Sequence, residues 1–277
     1  MAQTAAQVSY RQEYIAAFEE GQTWLRAATT TEAVIKGNQA TFLVAGSGGA
    51  TAVTRGVNGL IPARFDNLVQ TPVTLVEYHD LPRSTRFNIF QNQGNTRRIM
   101  QETSVKVMNR KIDADIISAF DTASTNLGAA TTASLSLVLK AKVTLGEAEV
   151  ATQEEENMYG VVTPAFMGYL MQIPEFASAD YVDMQPLAGK HMRLRRWCGI
   201  NWIEHPNLTG VGTASEKCYI LHKDSVGCAF DTSEGLKTAI GYDEEQDYYW
   251  ARASSFIGAA VLQQSGIVQV LHDASAI

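Results

Sequence analysis

The sequence predicts an α+β fold built around one unusually long helix. Three observations carry this. Residues 95–126 repeat apolar side chains at helical spacing. A glycine-dense stretch from Gly46 to Gly59 is bracketed by two runs of β-forming residues. The second half interleaves short strands and short helices without a regular βαβ rhythm, and no internal repeat is found. At 277 residues the chain allows one large domain or two.

In chain order, "VSYRQEYIAAFEEGQTWL" predicts a short amphipathic helix with Tyr14, Ile15, Phe18 and Leu25 on one side. "RAATTTEAVIKGNQ" has no periodicity and predicts an extended arm. Thr41–Ala45 predicts a strand. Gly46, Ser47, Gly48, Gly49, Gly56 and Gly59 then make a segment too rich in glycine for packed core, so it predicts a flexible loop tip. "TPVTLVEY" supplies the answering strand, giving a two-stranded projection.

In the long helix, Asn95 or Thr96 is the cap, and Val105, Met108, Ile112, Ile116 and Phe120 form a single buried stripe. Glu102 precedes Lys106 by four, the favourable order for a helical ion pair. Asn126 and Gly128 signal the stop. That is roughly 30 residues, or about 45 Å. One stripe means that the rod lies on a sheet or on neighbours. A second helix follows with Leu135, Val138, Leu139, Lys142 and Val143 in register. Tyr159–Val162 predicts a strand, Pro164 opens a helix in the position proline favours, and the remainder is mostly strands.

Composition narrows the function. Hydrophobic residues are 45% and charged residues 18%, which fits a folded protein. A net charge of -7 argues against a nucleic-acid clamp. No basic-then-apolar leader opens the chain, and no apolar run is long enough to span a bilayer. Cys198, Cys218 and Cys228 are an odd number at wide spacing, which predicts thiols in a reducing cytoplasm.

The search for chemistry finds little. His79, His191, His205, His222 and His272 fall at no HxH or HxxxH spacing, so no zinc site is predicted. Gly46-Ser47-Gly48-Gly49 lacks the third spaced glycine and the lysine of a phosphate loop. No GxSxG elbow is present. Asp113 and Asp115 lie on different helix faces and predict a solvated surface. Glu154–Glu156 reads as an exposed acidic run. Arg193, Arg195 and Arg196 beside Trp197 leave two readings open, a nucleic-acid patch or an inter-subunit salt-bridge surface. Asn207-Leu208-Thr209 is a sequon without a secretory context. No cofactor and no metal is predicted, and enzymatic activity is not expected.

What the chain has instead is an arm, a glycine-tipped hairpin and a half-exposed rod. A subunit of a large assembly uses such parts to reach its neighbours. Their order resembles the major capsid protein of tailed bacteriophages, a fold shared with herpesvirus capsid floors and encapsulins. The resemblance runs through the loop "TFLVAGSGGATAVTRGVNGLIPARFDNLVQTPVTLVEY", the helix, "YGVVTPAFMGYLMQIPEFASADYV", "GKHMRLRRWCGINWIEHPNL", "CYILHKDSVGCAF" and "DYYWARASSFIGAAVLQQSGIVQVL".

The resemblance implies an N-terminal arm (1–40), an extended loop (41–78), a peripheral domain (79–149 and 236–257) with a spine helix at 95–126, and an axial domain (150–235 and 258–277). It implies a shell subunit forming hexamers and pentamers around double-stranded DNA held without sequence preference, located in the virion and assembled in the bacterial host cytoplasm, with no membrane partner. Inter-subunit contacts would fall on the glycine tip, on Arg55 and on the axial arginines. A separate scaffolding protein, a portal and a decoration protein are the further partners. Between Ala45 and Thr71 the chain has no lysine, so the loop lacks the amine for the isopeptide weld that some relatives use. An encapsulin-type compartment and a soluble enzyme are the alternatives.

Overall fold

Two helices, α1 (Arg86–Gln91) and α2 (Thr96–Phe120), follow a 3-10 turn and the first five strands of the chain. The computed structural model describes residues 24–34, 37–47, 49–64, 66–91, 96–174, 195–231 and 236–275. The amphipathic stretch carrying Tyr14, Ile15 and Phe18 lies outside them. Helix α2 has 25 residues and buries Met108, Ile112, Ile116 and Phe120. Val105 is only half-buried. Its place on the stripe is taken by Ser104, whose hydroxyl donates to Asp80 at 2.6 Å, and by Met100 one turn earlier. Glu102 pairs with Arg98 at 2.7 Å rather than with Lys106.

The helix stops at Phe120, six residues before the expected end. Residues after it leave the helical path to run beside a strand instead. Asn126 and Thr131 bridge Gln269 and His272, with Leu127 N donating to Gln269 O and Thr131 N to Leu271 O. Backbone groups that another helical turn would have satisfied are satisfied there by a sheet edge.

Two sheets flank the helix. The first contains β1 (Thr30–Val34), β4 (Val76–Asp80), β5 (Arg83–Thr85), β10 (Val226–Asp231), β11 (Lys237–Asp243) and β12 (Tyr248–Val261). Strand β12 has 14 residues and pairs with β4, β5, β10 and β11. The expected extended arm is in part strand β1, which pairs parallel with β10. Its entry is anchored by Leu25, Ala28 and Thr29, all fully buried. The second sheet runs β13 (Ile267–His272), β9 (Glu216–His222), β6 (Met158–Val162), β8 (Ile200–Glu204), β7 (Arg195–Trp197).

Helix α3 (Leu135–Glu147) is capped by Ser134, whose hydroxyl accepts from Leu137 N. It buries Val138, Ala141 and Leu145, while Leu139 and Val143 are 44% and 56% exposed. The sequence register therefore mixed its two faces. Helix α4 (Pro164–Met171) begins at Pro164, with Thr163 Oγ1 accepting from Phe166 N at 3.2 Å. Helices α3 and α4 form one core with the second sheet through Met158, Phe166, Leu170, Trp202, Ile220 and Val268. The divisions expected at 149, 235 and 257 cut across these layers: α3 packs with the second sheet, β10 pairs within the first, and β12 runs through the last boundary.

A second core, formed by Ile112, Ile116, Ile117 and Phe120, joins the two sheets. These side chains meet Val161, Tyr219 and Leu221 on one side and Val226, Cys228 and Ile257 on the other. Replacing Ile116 with Ala is expected to destabilise the subunit by about 2–5 kcal/mol through lost burial and a cavity. Replacing the outward Val143 of α3 should stay within about 0.5 kcal/mol. Urea unfolding of both variants checks the assignment of faces.

Candidate assembly surfaces

The projection predicted from the glycine-rich stretch is an antiparallel ribbon of β2 (Gln39–Gly46) and β3 (Asn67–Thr74), in register from Gln39↔Thr74 to Gly46↔Asn67. Its root is packed. Ala40, Phe42 and Val73 are buried with Ala229, and Leu75, Ala260 and Leu262 pack around them. Two glycines make the seat possible. A side chain at Gly227 would run into the Phe42 ring, and one at Gly258 would strike the Thr74 carbonyl. In the outer half of the ribbon Leu43 and Leu68 are each 60% exposed, while Gly46 and Ser47 line a cleft with Ala148, Val150, His222 and Gln263 of the body.

Beyond the ribbon, the described residues from Ser47 to Asp66 form no strand or helix. Gly49 and Gly59 have φ of +76° and +74°, a region side chains disfavour, whereas Gly56 does not. A turn closes where Gly59 N donates to Gly56 O at 2.8 Å and Gly56 N to Leu60 O at 3.0 Å. Val53, Val57, Leu60 and Ile61 are all exposed, Val57 completely. Arg55 is exposed among them. Gly46 ends β2 and Ser47 follows it; Gly48 lies outside the described residues.

The basic run does not join this loop. Arg193 lies outside the described residues, and Arg195 enters through its backbone, opposite Trp202. Arg196 is exposed and is engaged within its own chain, by Glu155 at 3.5 Å and Asn201 at 3.4 Å. Other exposed apolar surface lies on α3, at Leu139 and Val143, and at a groove lined by Met100, Ile240, Tyr242, Tyr249 and Trp250.

Two polar clusters, one buried and one half-buried, escaped the sequence reading. Asp113, expected on a solvated face, is 3% exposed and faces His205, which is 1% exposed, at 3.4 Å. His205 Nδ1 accepts from Asn207 N at 3.2 Å, so Nε2 carries the hydrogen that points at Asp113. The pair ties the middle of α2 to the turn after β8. Asp115 does lie nearer the surface and pairs with Lys111 at 2.7 Å.

The second cluster sits where α2 ends. Asp121 accepts from Lys217 Nζ at 2.7 Å, Tyr219 OH at 2.7 Å and Thr209 Oγ1 at 2.6 Å. Burial alone would raise its carboxyl; the bonds from Lys217, Thr209 and Tyr219 outweigh that and hold it below the ordinary range. Burial, and then the bond to Asp121, push the Tyr219 phenol up. A carboxylate one residue past a helix end opposes the helix dipole, and Lys217 supplies the compensating charge.

Among the described residues, no group of three or more His, Cys, Asp or Glu side chains is placed to hold a metal ion. Cys218 and Cys228 are buried, and burial pushes their thiols up to about 12 and about 11. Cys198 is half-buried, and its thiol is also raised by burial. No described helix is long and apolar enough to cross a membrane. The surfaces that remain are apolar, projecting and suited to contact.

The family described as phage capsid protein matches residues 2–274. No curated protein matches. Among solved structures, a chain from Mycobacterium phage Che8 superposes with a TM-score of 0.75 at 14% identity, covering 98% of each chain. The capsid of cyanophage P-SCSP1u gives 0.72 at 13%, over 97% of this chain and 93% of that one. The capsid of a native gene transfer agent particle gives 0.70 at 16%, over 98% and 97%.

The Asp121 cluster yields a signed prediction. A carboxyl held low in the folded state contributes stability above its unfolded pKa and loses it as pH falls through the folded one. Asp121→Asn is expected to cost about 1–3 kcal/mol at neutral pH. That cost should shrink as the pH falls below about 4. Unfolding of wild type and variant across this range measures it; a cost independent of pH would contradict the charge-based account.

Proposed function

The chain belongs to the phage capsid protein family and has the tailed-phage major capsid fold, and on that premise we propose that it is the coat subunit that closes a phage head. Hexamers and pentamers of this chain form an icosahedral shell enclosing double-stranded DNA. The observation that carries this reading is the exposed apolar surface of the outer ribbon and its loop. Leu43, Val53, Val57, Leu60, Ile61 and Leu68 are each 60% exposed or more. A monomer that keeps so much apolar surface in water marks it for a partner.

The reading assigns Gln39–Thr74 to the extended loop, the β12 sheet with α2 to the peripheral domain, and the β9 sheet with α3 and α4 to the axial domain. The glycine tip and Arg55 meet a neighbouring copy. The axial arginines are weaker contact residues, since Arg196 is occupied within its own chain. The subunit acts structurally and not as an enzyme. A separate scaffolding protein guides closure in the host cytoplasm, a portal occupies one vertex, and a decoration protein reinforces the outside. The net charge of -7 suits a wall that holds DNA loosely, because each neutralised phosphate would add salt-dependent affinity and hinder exit.

Electron microscopy of the purified protein tests the reading. Capsomers and closed shells are expected; a monomer persisting at high concentration, with and without scaffold, contradicts it. The shell is further expected to be held without covalent links. The loop has no lysine between Ala45 and Thr71, and raised, buried thiols exchange slowly. Boiled heads should give one band near 30.2 kDa with and without reductant. A reductant-resistant ladder would contradict this.

A further inference from the structure

The end of β9 sets a histidine between two carboxylates. His222 is its last residue and is buried. Its Nδ1 accepts from Asp224 N at 3.3 Å. A ring nitrogen that accepts carries no hydrogen, so the neutral ring holds its hydrogen on Nε2. Nε2 is buried and has no hydrogen-bond partner among the described residues. Glu154, ahead of β6, stands 3.8 Å from Nε2, and Asp224 Oδ2 stands 3.8 Å from Nδ1. Glu149, after α3, lines the same cleft. Lys223, the next residue in the chain, adds a positive charge. Asp224 also holds the arm. Its Oδ1 accepts from Thr30 Oγ1 at 2.9 Å, and Thr30 is the first residue of β1. The same hydroxyl lies 3.3 Å from Lys223 O, a longer contact. One carboxylate thus faces the arm with one oxygen and the histidine with the other.

We propose that His222 and Asp224 form a proton-operated tether for the start of β1. With the ring neutral, Nδ1 accepts from Asp224 N, and Asp224 Oδ1 holds Thr30. A proton taken up on Nδ1 makes that nitrogen a donor, so it no longer accepts from Asp224 N. The imidazolium then draws Glu154 to Nε2 and Asp224 Oδ2 to Nδ1, each in a charge-assisted bond. Closing 3.8 Å to hydrogen-bond distance takes about 1 Å of movement. The cleft beside Gln263 and Ser265 leaves room for it. That movement carries the carboxylate away from Thr30, whose hydroxyl keeps the longer contact to Lys223 O. Histidine is the side chain that changes charge between about pH 5 and 8, where carboxylates, ordinarily near 4, stay ionised. Leu25, Ala28 and Thr29 remain buried, so the loosening is confined to the pairing of β1 with β10.

Amide hydrogen exchange of the full chain reads the tether, through peptides covering Thr30–Val34 and after correction for the intrinsic effect of pH on exchange. Exchange there is expected to quicken about threefold or more between about pH 7.5 and about pH 5.5. His222→Asn keeps an acceptor for Asp224 N, in a position asparagine favours, and takes up no proton. It should hold slow exchange at both pH values, which separates His222 from the other histidines. Thr30→Val removes the hydroxyl and keeps strand propensity; exchange should be fast at both. The unfolding temperature at neutral pH checks that both variants fold. Wild-type exchange at Thr30–Val34 that ignores pH would overturn the proposal whatever the variants do. So would a folded His222→Asn chain that quickens as the wild type does. A Thr30→Val chain that stays slow at neutral pH would show that Asp224 does not hold the arm, and the proposal fails on that result too.

Discussion

The architecture depends on the packing of the last turns of α2 between two sheets. Ile116, Ile117, Ala119 and Phe120 are all buried within five positions. Farther back, among the described residues, the helix buries Met100, Ser104, Met108, Ile112 and Asp113, a narrower stripe. The stripe widens because the helix end must fill space against both the β12 sheet and the β9 sheet. Where apolar contact ends, the Asp121 cluster begins, so the joint has a greasy centre and a charged clasp. The rest of the helix extends from this joint as a rod supported on one side.

That joint lets the subunit divide its labour. The body pairs its most deeply buried carboxylate: Glu216 is fully buried, yet accepts from Thr163 Oγ1 at 2.5 Å and Gly212 N at 2.7 Å. The ribbon is rooted on β10 and β12, the same strands that pack on α2. Its outer half keeps Leu43, Leu68 and Val69 exposed. Strands rooted this way hold their direction, while the glycines at 49 and 59 leave the tip able to turn. Placement is set by the core, and adaptability is confined to the part that meets a neighbour.

The parts of this design visible in the sequence were those with a local signature. One apolar stripe at helical spacing marked α2, proline after a β-rich run marked α4, and the glycines marked the loop. The rest depended on partners far away in the chain. Leu139 and Val143 are as apolar as Val138 and Leu145, so periodicity alone could not tell which side of α3 met the core. Nothing near Asp113, which read as surface, announced His205, and nothing near Asp121 announced Lys217 and Tyr219. Thr30–Val34 is a strand only because β10 offers its edge. Of the expected contact residues, the described members of the loop set are exposed. The arginine run divides, with Arg196 bound internally and Arg193 outside the described residues.

The central claim is that the projecting loop serves assembly and contributes nothing to the fold of its own subunit. Deleting Ser47–Asn58 and following the variant by sedimentation and thermal unfolding tests this most directly. The account predicts a folded subunit that unfolds at the wild-type temperature and never enters a shell-sized peak. Closed shells of normal size from the deleted chain would contradict it.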